Sequence, residues 1–216
     1  MANIFFYSIF LFTAFSFNVK SEVESKKPLK FDSKKQTIST KSKPMTTTEV
    51  KNKSETAILA GGCFWGVEEL IRTQPGVLST VVGYTGGTIP NPTYEIVKKG
   101  SSGHVESIQI QFDPQKTTYE AILKFFFKIH DPTTVNQQGN DRGSQYRSAI
   151  FFLSPEQEKT AKKIKELVEA SGAWKKPIVT EITAASTFYS AEAYHQEYLQ
   201  KNPGGYTCHY VRDVKF

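Results

Sequence analysis

Cysteine is scarce in this sequence, which contains only Cys63 and Cys208 among its 216 residues. The two lie near opposite ends of the part of the chain that can fold. For an exported protein, this number allows one structural disulfide or one redox pair, and it excludes a scaffold held together by several disulfides.

An apolar run long enough to span a bilayer is also lacking. Residues 1–19 carry no charge, and residues 4–17 form an apolar run of signal-peptide length, short of the roughly 20 residues of a membrane-spanning helix. No cysteine lies near this run, which excludes a lipoprotein anchor. We therefore expect residues 1–20 to be a signal peptide, and the protein to be exported to the periplasm or cell envelope without a stable membrane span.

Net charge is lacking from the part of the chain that can fold. The whole chain carries +6, and residues 20–53 account for all of it, with ten lysines against four acidic residues. Because that segment has few large apolar residues, we expect residues 21–54 to be a solvated, disordered linker. Residues 55–216 have the size of one domain, and their balanced charge gives no indication of a nucleic-acid partner.

Neither an internal repeat nor a regular alternation of strands and helices is visible in residues 55–216. β-branched or alternating runs predict strands near residues 57–60, 77–84, 104–112, 147–153 and 178–184. Capping residues and apolar spacing predict helices that begin near residues 66, 94, 117, 154 and 190. This mixture predicts an α+β fold, a two-layer sandwich in which helices pack against a small mixed sheet.

The segment AILAGGCFWG, residues 57–66, reads as a buried strand, a glycine turn and the start of a helix. Cys63 would then lie near the positive end of a helix dipole, where a thiol pKa falls and the thiolate becomes a nucleophile. A buried cysteine beside the core aromatics Phe64 and Trp65 is an equally good interpretation of this segment alone.

Glu106 lies in phase with the apolar residues Ile108, Ile110 and Phe112 of a predicted strand, so its side chain should face inward. Burial of an unpaired carboxylate raises its pKa, which would keep a proton available near neutral pH. Two other interpretations are an inward Glu106 paired with Arg147, and a frayed strand end that exposes Glu106 to water.

Two further segments are predicted to lack regular secondary structure and contain candidate site residues. Residues 130–147 form a long polar loop that contains Asp141 and Tyr146, each of which could equally be a turn or strand-entry residue. After a helix predicted from 190 to 201, a tail rich in Gly and Pro carries Cys208, and we expect this tail to be mobile. A nucleophilic Cys63 and a mobile Cys208 form a redox arrangement in which a sulfenic acid is converted to a disulfide.

The sequence resembles the A-type peptide methionine sulfoxide reductases over essentially all of residues 57–216. The shared segments are GGCFWG (61–66), VGYTGG (82–87), NPTYEIV (91–97), GHVES (103–107), HDPTT (130–134), GNDRGSQYRS (139–148), AEAYHQEYL (191–199) and GYTCH (205–209). The resemblance implies a ferredoxin-like fold, and reduction of the S epimer of methionine sulfoxide, free and in proteins.

The resemblance also implies a role for each candidate site residue. The implied roles are Cys63 as nucleophile, Glu106 as proton donor, Cys208 as resolving thiol, Tyr94 and Tyr146 as hydrogen-bond donors to the sulfoxide oxygen, Phe64 and Trp65 as a methyl slot, and Asp141 as support from its loop. No metal or bound cofactor is implied. The implied partners are oxidised proteins and a thioredoxin or thioredoxin-like reductant, and we expect a monomer.

Other functions remain open at this stage. A thiol peroxidase also needs two cysteines, but it has no use for an inward acid or an aromatic slot. A hydrolase would use His104 or His195 as the base for Cys63, although we expect His195 to be structural and to bond backbone groups or tyrosine hydroxyls. A secreted binding domain with one structural disulfide is the non-enzymatic alternative.

Overall fold

A computed structural model describes residues 54–216, and the predicted signal peptide and most of the predicted linker lie outside the described residues. The strands are β1 Glu55–Gly61, β2 Val77–Thr85, β3 Val105–Phe112, β4 Gln137–Gln138, β5 Asp141–Arg142, β6 Ser148–Phe152, β7 Glu181–Ala184 and β8 Tyr189–Ser190. The helices are α1 Phe64–Ile71, α2 Tyr94–Val97, α3 Tyr119–Ile129, α4 Pro155–Ala170 and α5 Tyr198–Lys201, with a 3₁₀ turn at Ser144–Tyr146.

Six of the strands form one mixed sheet in the order β7-β6-β1-β3-β2-β8, and β4 and β5 form a separate small hairpin. The pairing is antiparallel throughout the sheet except between β6 and β7, which are parallel. The predicted α+β class with a small mixed sheet is confirmed. The central position of β1 places its carboxyl end, Gly61, between β3 and β6, and the site is built from this end.

The main core lies between the sheet and the longer helices. Strand residues such as Ile108, Ile110 and Phe112 pack there with Phe126 of α3 and Ile164 of α4, all with side chains that water does not reach. Burial on this scale supplies the dominant favourable term in folding, at about 25 cal/mol per Å² of apolar surface. The core therefore fixes β3, which carries Glu106, and β1, which leads into the turn at Cys63.

Helix α4 begins where capping residues in the sequence predict it. The Ser154 hydroxyl accepts a hydrogen bond from the Gln157 N–H at 3.3 Å, and Pro155 occupies the first helical turn. The Gln157 side chain returns the contact by accepting the Leu153 N–H at 3.0 Å. Such reciprocal bonds satisfy backbone donors that the helix itself leaves free.

The predicted helix from 190 to 201 is wrong for most of its length. Tyr189–Ser190 forms the edge strand β8, residues 193–197 form turns, and only Tyr198–Lys201 is helical. Glu197 has φ of 51°, in the left-handed region, and its N–H donates to the buried Glu68 carboxylate at 2.8 Å. This conformation interrupts a continuous helix, and side-chain contacts outside the segment maintain it.

The side chain of Gln196 continues the sheet at the edge of β2. Its Oε1 accepts the Val82 N–H at 2.9 Å, and its Nε2 donates to the Val82 carbonyl at 2.9 Å. The Ala191 N–H donates to the same carbonyl at 2.9 Å. A side-chain amide therefore takes the position that a backbone amide of a neighbouring strand would occupy.

The tail after α5, which its Gly and Pro content predicts to be mobile, packs against the rest of the fold. It has no regular secondary structure, yet His209 is buried and the Arg212 N–H donates to the Lys128 carbonyl at 2.9 Å. Phe216 packs against the main core. Long-range contacts hold the tail, and local composition does not reveal them. Within residues 54–216, no helix is both long and apolar enough to cross a membrane.

Candidate active site

A cavity of about 130 Å³ opens where α1 begins, beside the start of β3. Its lining residues are Cys63, Phe64, Trp65, Tyr94, Glu106, Asp141, Tyr146 and Tyr206. The fold therefore brings together seven of the eight site residues that the sequence predicts, from segments up to 83 residues apart. The eighth, Cys208, lies next to the cavity through its contact with Asp141, and Tyr206 is an addition that the sequence reasoning missed.

Cys63 is the residue immediately before α1, which begins at Phe64 rather than at the predicted Gly66. The first turn of the helix therefore holds Phe64 and Trp65 and no acidic residue. The predicted lowering of the thiol pKa is wrong for this structure. Burial raises the pKa of the Cys63 thiol well above its ordinary value, and negative charge on Glu106 adds to the rise. Desolvation outweighs the helix terminus here, so the thiol is protonated at neutral pH.

Glu106 faces inward from β3, as the phase of the strand predicts, and only 2% of it is exposed. Its Oε2 accepts the Phe64 N–H at 3.1 Å. Burial raises the pKa of this carboxyl to about 8, although the bond from Phe64 opposes the rise. Both other interpretations are wrong, because Glu106 is shielded from water and Arg147 instead pairs with Glu181 at 3.1 Å.

Trp65 is held in place from two sides. Its ring stacks on Tyr198 with 3.8 Å between ring centroids and 12° between planes. Its Nε1–H donates to Nδ1 of His195 at 3.1 Å. His195 is structural, as expected, but its partner is an indole and not a backbone group or a tyrosine hydroxyl. Burial lowers the pKa of His195, and an Nδ1 that accepts places the proton of the neutral ring on Nε2.

Neither histidine proposed for a hydrolase bonds to Cys63. The His104 ring bonds the Ile89 carbonyl at 2.8 Å and accepts the Gly87 N–H at 3.3 Å, which commits both ring nitrogens. His195 is committed to Trp65. The structure therefore gives the Cys-His hydrolase no support.

Glu192 positions Tyr94, and the sequence reasoning gave it no role although it lies in the shared segment AEAYHQEYL. One carboxylate oxygen accepts the Tyr94 N–H at 2.9 Å, and the other accepts the hydroxyl of the fully buried Tyr84 at 2.9 Å. Partial burial opposes ionisation of Glu192, but these bonds outweigh it and hold the pKa of its carboxyl below the ordinary value. The Glu192 carboxylate is charged and accepts two hydrogen bonds, and it therefore fixes the start of α2.

Asp141 joins the cavity to the tail. Its Oδ1 accepts the Tyr206 hydroxyl at 3.1 Å, and its Oδ2 accepts the Cys208 thiol at 3.4 Å. Burial and then the charge of Asp141 raise the pKa of Cys208 to about 12. Both cysteines are free thiols in the structure.

The sequence profile described as peptide methionine sulfoxide reductase matches residues 55–216. The chain belongs to this family. A protein named peptide methionine sulfoxide reductase MsrA from Nocardia farcinica (strain IFM 10152) is 57% identical to it over 156 residues, which cover 72% of this chain and 89% of that protein.

Solved structures of this family have the same fold. Reduced Mxr1 from Saccharomyces cerevisiae is 40% identical with a TM-score of 0.71, and the match covers 76% of this chain and 94% of that chain. Methionine sulfoxide reductase A of Corynebacterium diphtheriae is 39% identical with a TM-score of 0.68, and the match covers 75% of this chain and 81% of that chain. Mxr1 from Saccharomyces cerevisiae in complex with Trx2 matches at 28% identity and a TM-score of 0.52. This match covers 78% of this chain and 97% of that chain.

In this peptide methionine sulfoxide reductase, glycines of the segment GGCFWG give the tail room to approach. A Cβ added to Gly66 would lie 2.6 Å from Nδ1 of His209 and would also overlap the Thr207 hydroxyl. A Cβ on Gly62 would touch the same imidazole at 3.4 Å. His209 belongs to the shared segment GYTCH, but the sequence does not show that it lies at the site. Its position becomes clear only from the approach of the tail to residues 61–66 in the structure. Within residues 54–216, no three His, Cys, Asp or Glu side chains cluster as a metal site.

Proposed function

We propose that this reductase acts on the S epimer of methionine sulfoxide, free and in proteins, with Cys63 as nucleophile and Glu106 as proton donor. The observation that carries the proposal is the buried Glu106, whose pKa is raised to about 8. It shares one cavity with a cysteine and with five aromatic side chains. A carboxyl group that retains its proton at neutral pH is the acid that a sulfoxide oxygen requires.

The first step transfers oxygen from the substrate to Cys63. A sulfoxide is a poor electrophile until its oxygen is protonated, so Glu106 donates a proton while the Cys63 sulfur attacks the sulfoxide sulfur. The oxygen moves to Cys63, methionine leaves, and the thiol becomes a sulfenic acid, which balances the two-electron reduction of the substrate.

Tyr94 and Tyr146 donate hydrogen bonds to the sulfoxide oxygen in this proposal. Both line the cavity, and burial raises the pKa of each phenol, so that each retains its proton for donation. Donors held in place before the reaction stabilise charge that develops in the transition state.

The raised pKa of the Cys63 thiol fits a nucleophile that ionises only with substrate present. Part of that rise comes from negative charge on Glu106, and this part disappears when Glu106 holds its proton. A sulfoxide that accepts a hydrogen bond from the acid also gains positive charge at sulfur beside the thiol. Both effects favour the thiolate at the moment of attack.

The size and lining of the cavity suit the end of the substrate side chain. Its volume is about 130 Å³, and aromatic side chains make up much of its lining. In this proposal the methylsulfinyl end of the substrate enters the cavity, with Phe64 and Trp65 against the methyl group. A pocket that takes only the side-chain end accepts free and protein-bound substrate alike.

Recycling completes the proposal. Cys208 attacks the sulfenic acid of Cys63, water leaves, and a disulfide forms. A dithiol protein of the thioredoxin class then reduces the disulfide, and the complex of Mxr1 with Trx2 supports this choice of partner. The enzyme requires no bound cofactor in this scheme. We propose that it works as a monomer.

Incubation of the protein with methionine-S-sulfoxide and dithiothreitol tests the reaction. The expected result is turnover to methionine that Cys63→Ser abolishes. No turnover, or equal turnover by Cys63→Ser, would show that the proposal is wrong.

The role of Cys208 needs a separate test. Cys208→Ser should release about one methionine per enzyme in a single turnover and then fail to cycle with thioredoxin. Cycling with thioredoxin by this variant would remove Cys208 from the scheme.

We also propose that residues 1–20 direct export, which places the reaction in the periplasm or cell envelope and makes the reductant an exported thioredoxin-like protein. The uncharged apolar run at residues 4–17 supports this. N-terminal sequencing of the mature protein tests it, and a protein that retains Met1 in the cytoplasm would contradict it.

A further inference from the structure

We propose that His209 is the base that removes the proton of Cys208 when Cys208 attacks the oxidised Cys63. This inference rests on the proposed function, because it assigns a residue to the second, disulfide-forming half of that reaction. It concerns the tail, where the structure differs most from what the sequence predicts.

The hydrogen bonds of His209 fix which nitrogen can accept a proton. Its Nε2 lies 2.7 Å from the carbonyl oxygen of Gly61, and a carbonyl can only accept, so Nε2 carries the proton. In the neutral ring Nδ1 is then an acceptor, and it lies 3.5 Å from Sγ of Cys208. This is the arrangement of a nucleophile and its base, with a third group that orients the base.

Cys208 needs such a base because its surroundings disfavour the thiolate. Burial and the charge of Asp141 raise the pKa of Cys208 to about 12, so only ~10⁻⁵ of the thiol is ionised at pH 7. The thiolate is the nucleophile in disulfide exchange. A resolving thiol in this environment is slow unless its proton is removed during the attack.

His209 is suited to that task near neutral pH. It is 7% exposed, and burial lowers the pKa of its imidazole, which leaves the ring neutral and able to accept a proton. The charged and titratable groups that face it are Asp141 from β5, Arg212 from the tail and His130 at the end of α3. The charge of Asp141 stabilises the imidazolium that would form, while Arg212 opposes it.

Asp141 is the other acceptor within reach of the Cys208 thiol, at 3.4 Å. A carboxylate is a much weaker base than an imidazole, so its proton affinity matches a thiol poorly. Asp141 therefore orients the thiol and stabilises the imidazolium, and the proton goes to His209.

The position of His209 relative to Cys63 favours the same role. A Cβ added to Gly66 would collide with both Thr207 and His209, the residues on either side of Cys208, so the tail passes close to the helix that follows Cys63. His209 also bonds the carbonyl of Gly61, two residues before Cys63. The base is thus attached to the segment that carries the sulfenic acid.

The step balances in atoms and electrons. The Cys208 S–H proton passes to Nδ1 of His209, and the Cys208 sulfur forms a bond to the Cys63 sulfur. The Cys63 S–O bond breaks, and the departing hydroxide takes a proton from solvent to leave as water. The imidazolium of His209 then loses its proton to solvent, so the net reaction is a thiol plus a sulfenic acid giving a disulfide plus water.

Two substitutions of His209 distinguish a residue that accepts the Cys208 proton from one that only holds the tail in place, and a third variant serves as a control. His209→Gln retains an amide N–H for the Gly61 carbonyl but has no base at Nδ1. His209→Asn places its amide near Nδ1 and loses the bond to Gly61. Thr207→Val removes the acceptor of the His209 N–H, at 3.1 Å, and serves as a control for loosening of the tail.

Each full-length, reduced protein is mixed with methionine-S-sulfoxide in a single turnover and quenched with N-ethylmaleimide. Released methionine measures the first step, and intact mass measures the disulfide. We expect the ratio of the disulfide rate to the methionine rate to fall about 10²-fold or more in both His209→Gln and His209→Asn, with Thr207→Val close to wild type.

A pH series adds a readout that a structural role would not move. Once the sulfenic acid has formed, wild type should convert it to the disulfide with a rate constant that changes little between pH 7 and 9, since His209 is already neutral there. In His209→Gln the rate should rise about tenfold per pH unit, because hydroxide must then ionise a thiol with a pKa of about 12.

Two outcomes would overturn the inference. A His209→Gln protein within about threefold of the wild-type disulfide rate, with His209→Asn slow, would make His209 an anchor only. A wild type that releases methionine but never joins Cys63 to Cys208 would reject the resolving role of Cys208, and the inference with it. Failure of wild type to release methionine is different, because it contradicts the proposed first step.

Discussion

The two segments that meet at the site are built in opposite ways. The strand, turn and helix from Glu55 to Ile71 obtain their shape locally, from apolar spacing and a glycine turn, and the sheet on both sides of β1 fixes them. The segment from 191 to 212 has almost no regular structure, and single side chains such as Glu192, Gln196 and His209 attach it to distant elements. Local patterns encode the first kind of segment and not the second. The cavity takes lining residues from both segments.

The largest effect should come from Glu106, which the regular part of the fold places. Glu106→Gln removes the proton donor and should slow release of methionine in a single turnover by 10²-fold or more, the usual scale for a lost general acid. Near-normal methionine release by this variant would contradict the role of Glu106 as proton donor.

The pH dependence of the same step gives an independent check. The pKa of Glu106 is about 8 when folded, so the donor is present below that pH and is lost as the pH rises through it. Methionine release should therefore fall above pH 8 in wild type, and this fall should be absent in Glu106→Gln. Stopped-flow measurement in single turnover across pH 6 to 10 tests the expectation.

Gly66→Ala breaks the contact between the two segments. The added methyl would lie 2.6 Å from Nδ1 of His209, so either the tail or α1 must shift. Overpacking of this kind costs up to about 3 kcal/mol, which denaturant unfolding can measure, and formation of the Cys63–Cys208 disulfide should slow as well. Glu69→Ala in the same helix is the control, and equal behaviour of the two variants would show that the tail does not depend on Gly66.

Glu192→Ala tests whether single side chains hold the C-terminal segment. The change leaves the buried Tyr84 hydroxyl and the Tyr94 N–H without their acceptor, which should cost about 2 kcal/mol in the free energy of unfolding. Tyr194→Phe, at an exposed neighbour, should change it by much less. If both variants unfold at the same denaturant concentration, Glu192 does not anchor the segment.

Ser154→Ala should have the smallest effect, because the cap of α4 is a local feature. Loss of the bond from the Gln157 N–H should cost about 1 kcal/mol of stability and leave methionine release unchanged. Thr160→Ala, whose hydroxyl bonds only within its own helix, is the matched control. A loss of several kcal/mol, or any loss of activity, would show that α4 supports the site more directly than its position suggests.

Sequence reasoning recovered the elements with a clear period or cap, including β1, β3 and α4. It also placed Glu106 inward, because a strand shows its buried face in every second residue. It failed on the helix predicted from residue 190, since the left-handed Glu197 depends on a bond to Glu68 that lies 129 residues away. It also gave no sign of the long-range contacts of the tail, for the same reason. The thiol pKa of Cys63 was misjudged because burial, which depends on the whole fold, outweighs the helix terminus.

The amide of Gln196 also bears on how the protein behaves at high concentration. An open sheet edge offers unpaired N–H and C=O groups to which a strand from another molecule can add, and such addition leads to aggregation. Gln196 occupies both backbone groups of Val82, and β8 pairs with the next residues, Gly83 and Tyr84. A second molecule would first have to displace these contacts before it could extend the sheet beyond β2. One glutamine side chain thus closes this part of the sheet edge to strand addition.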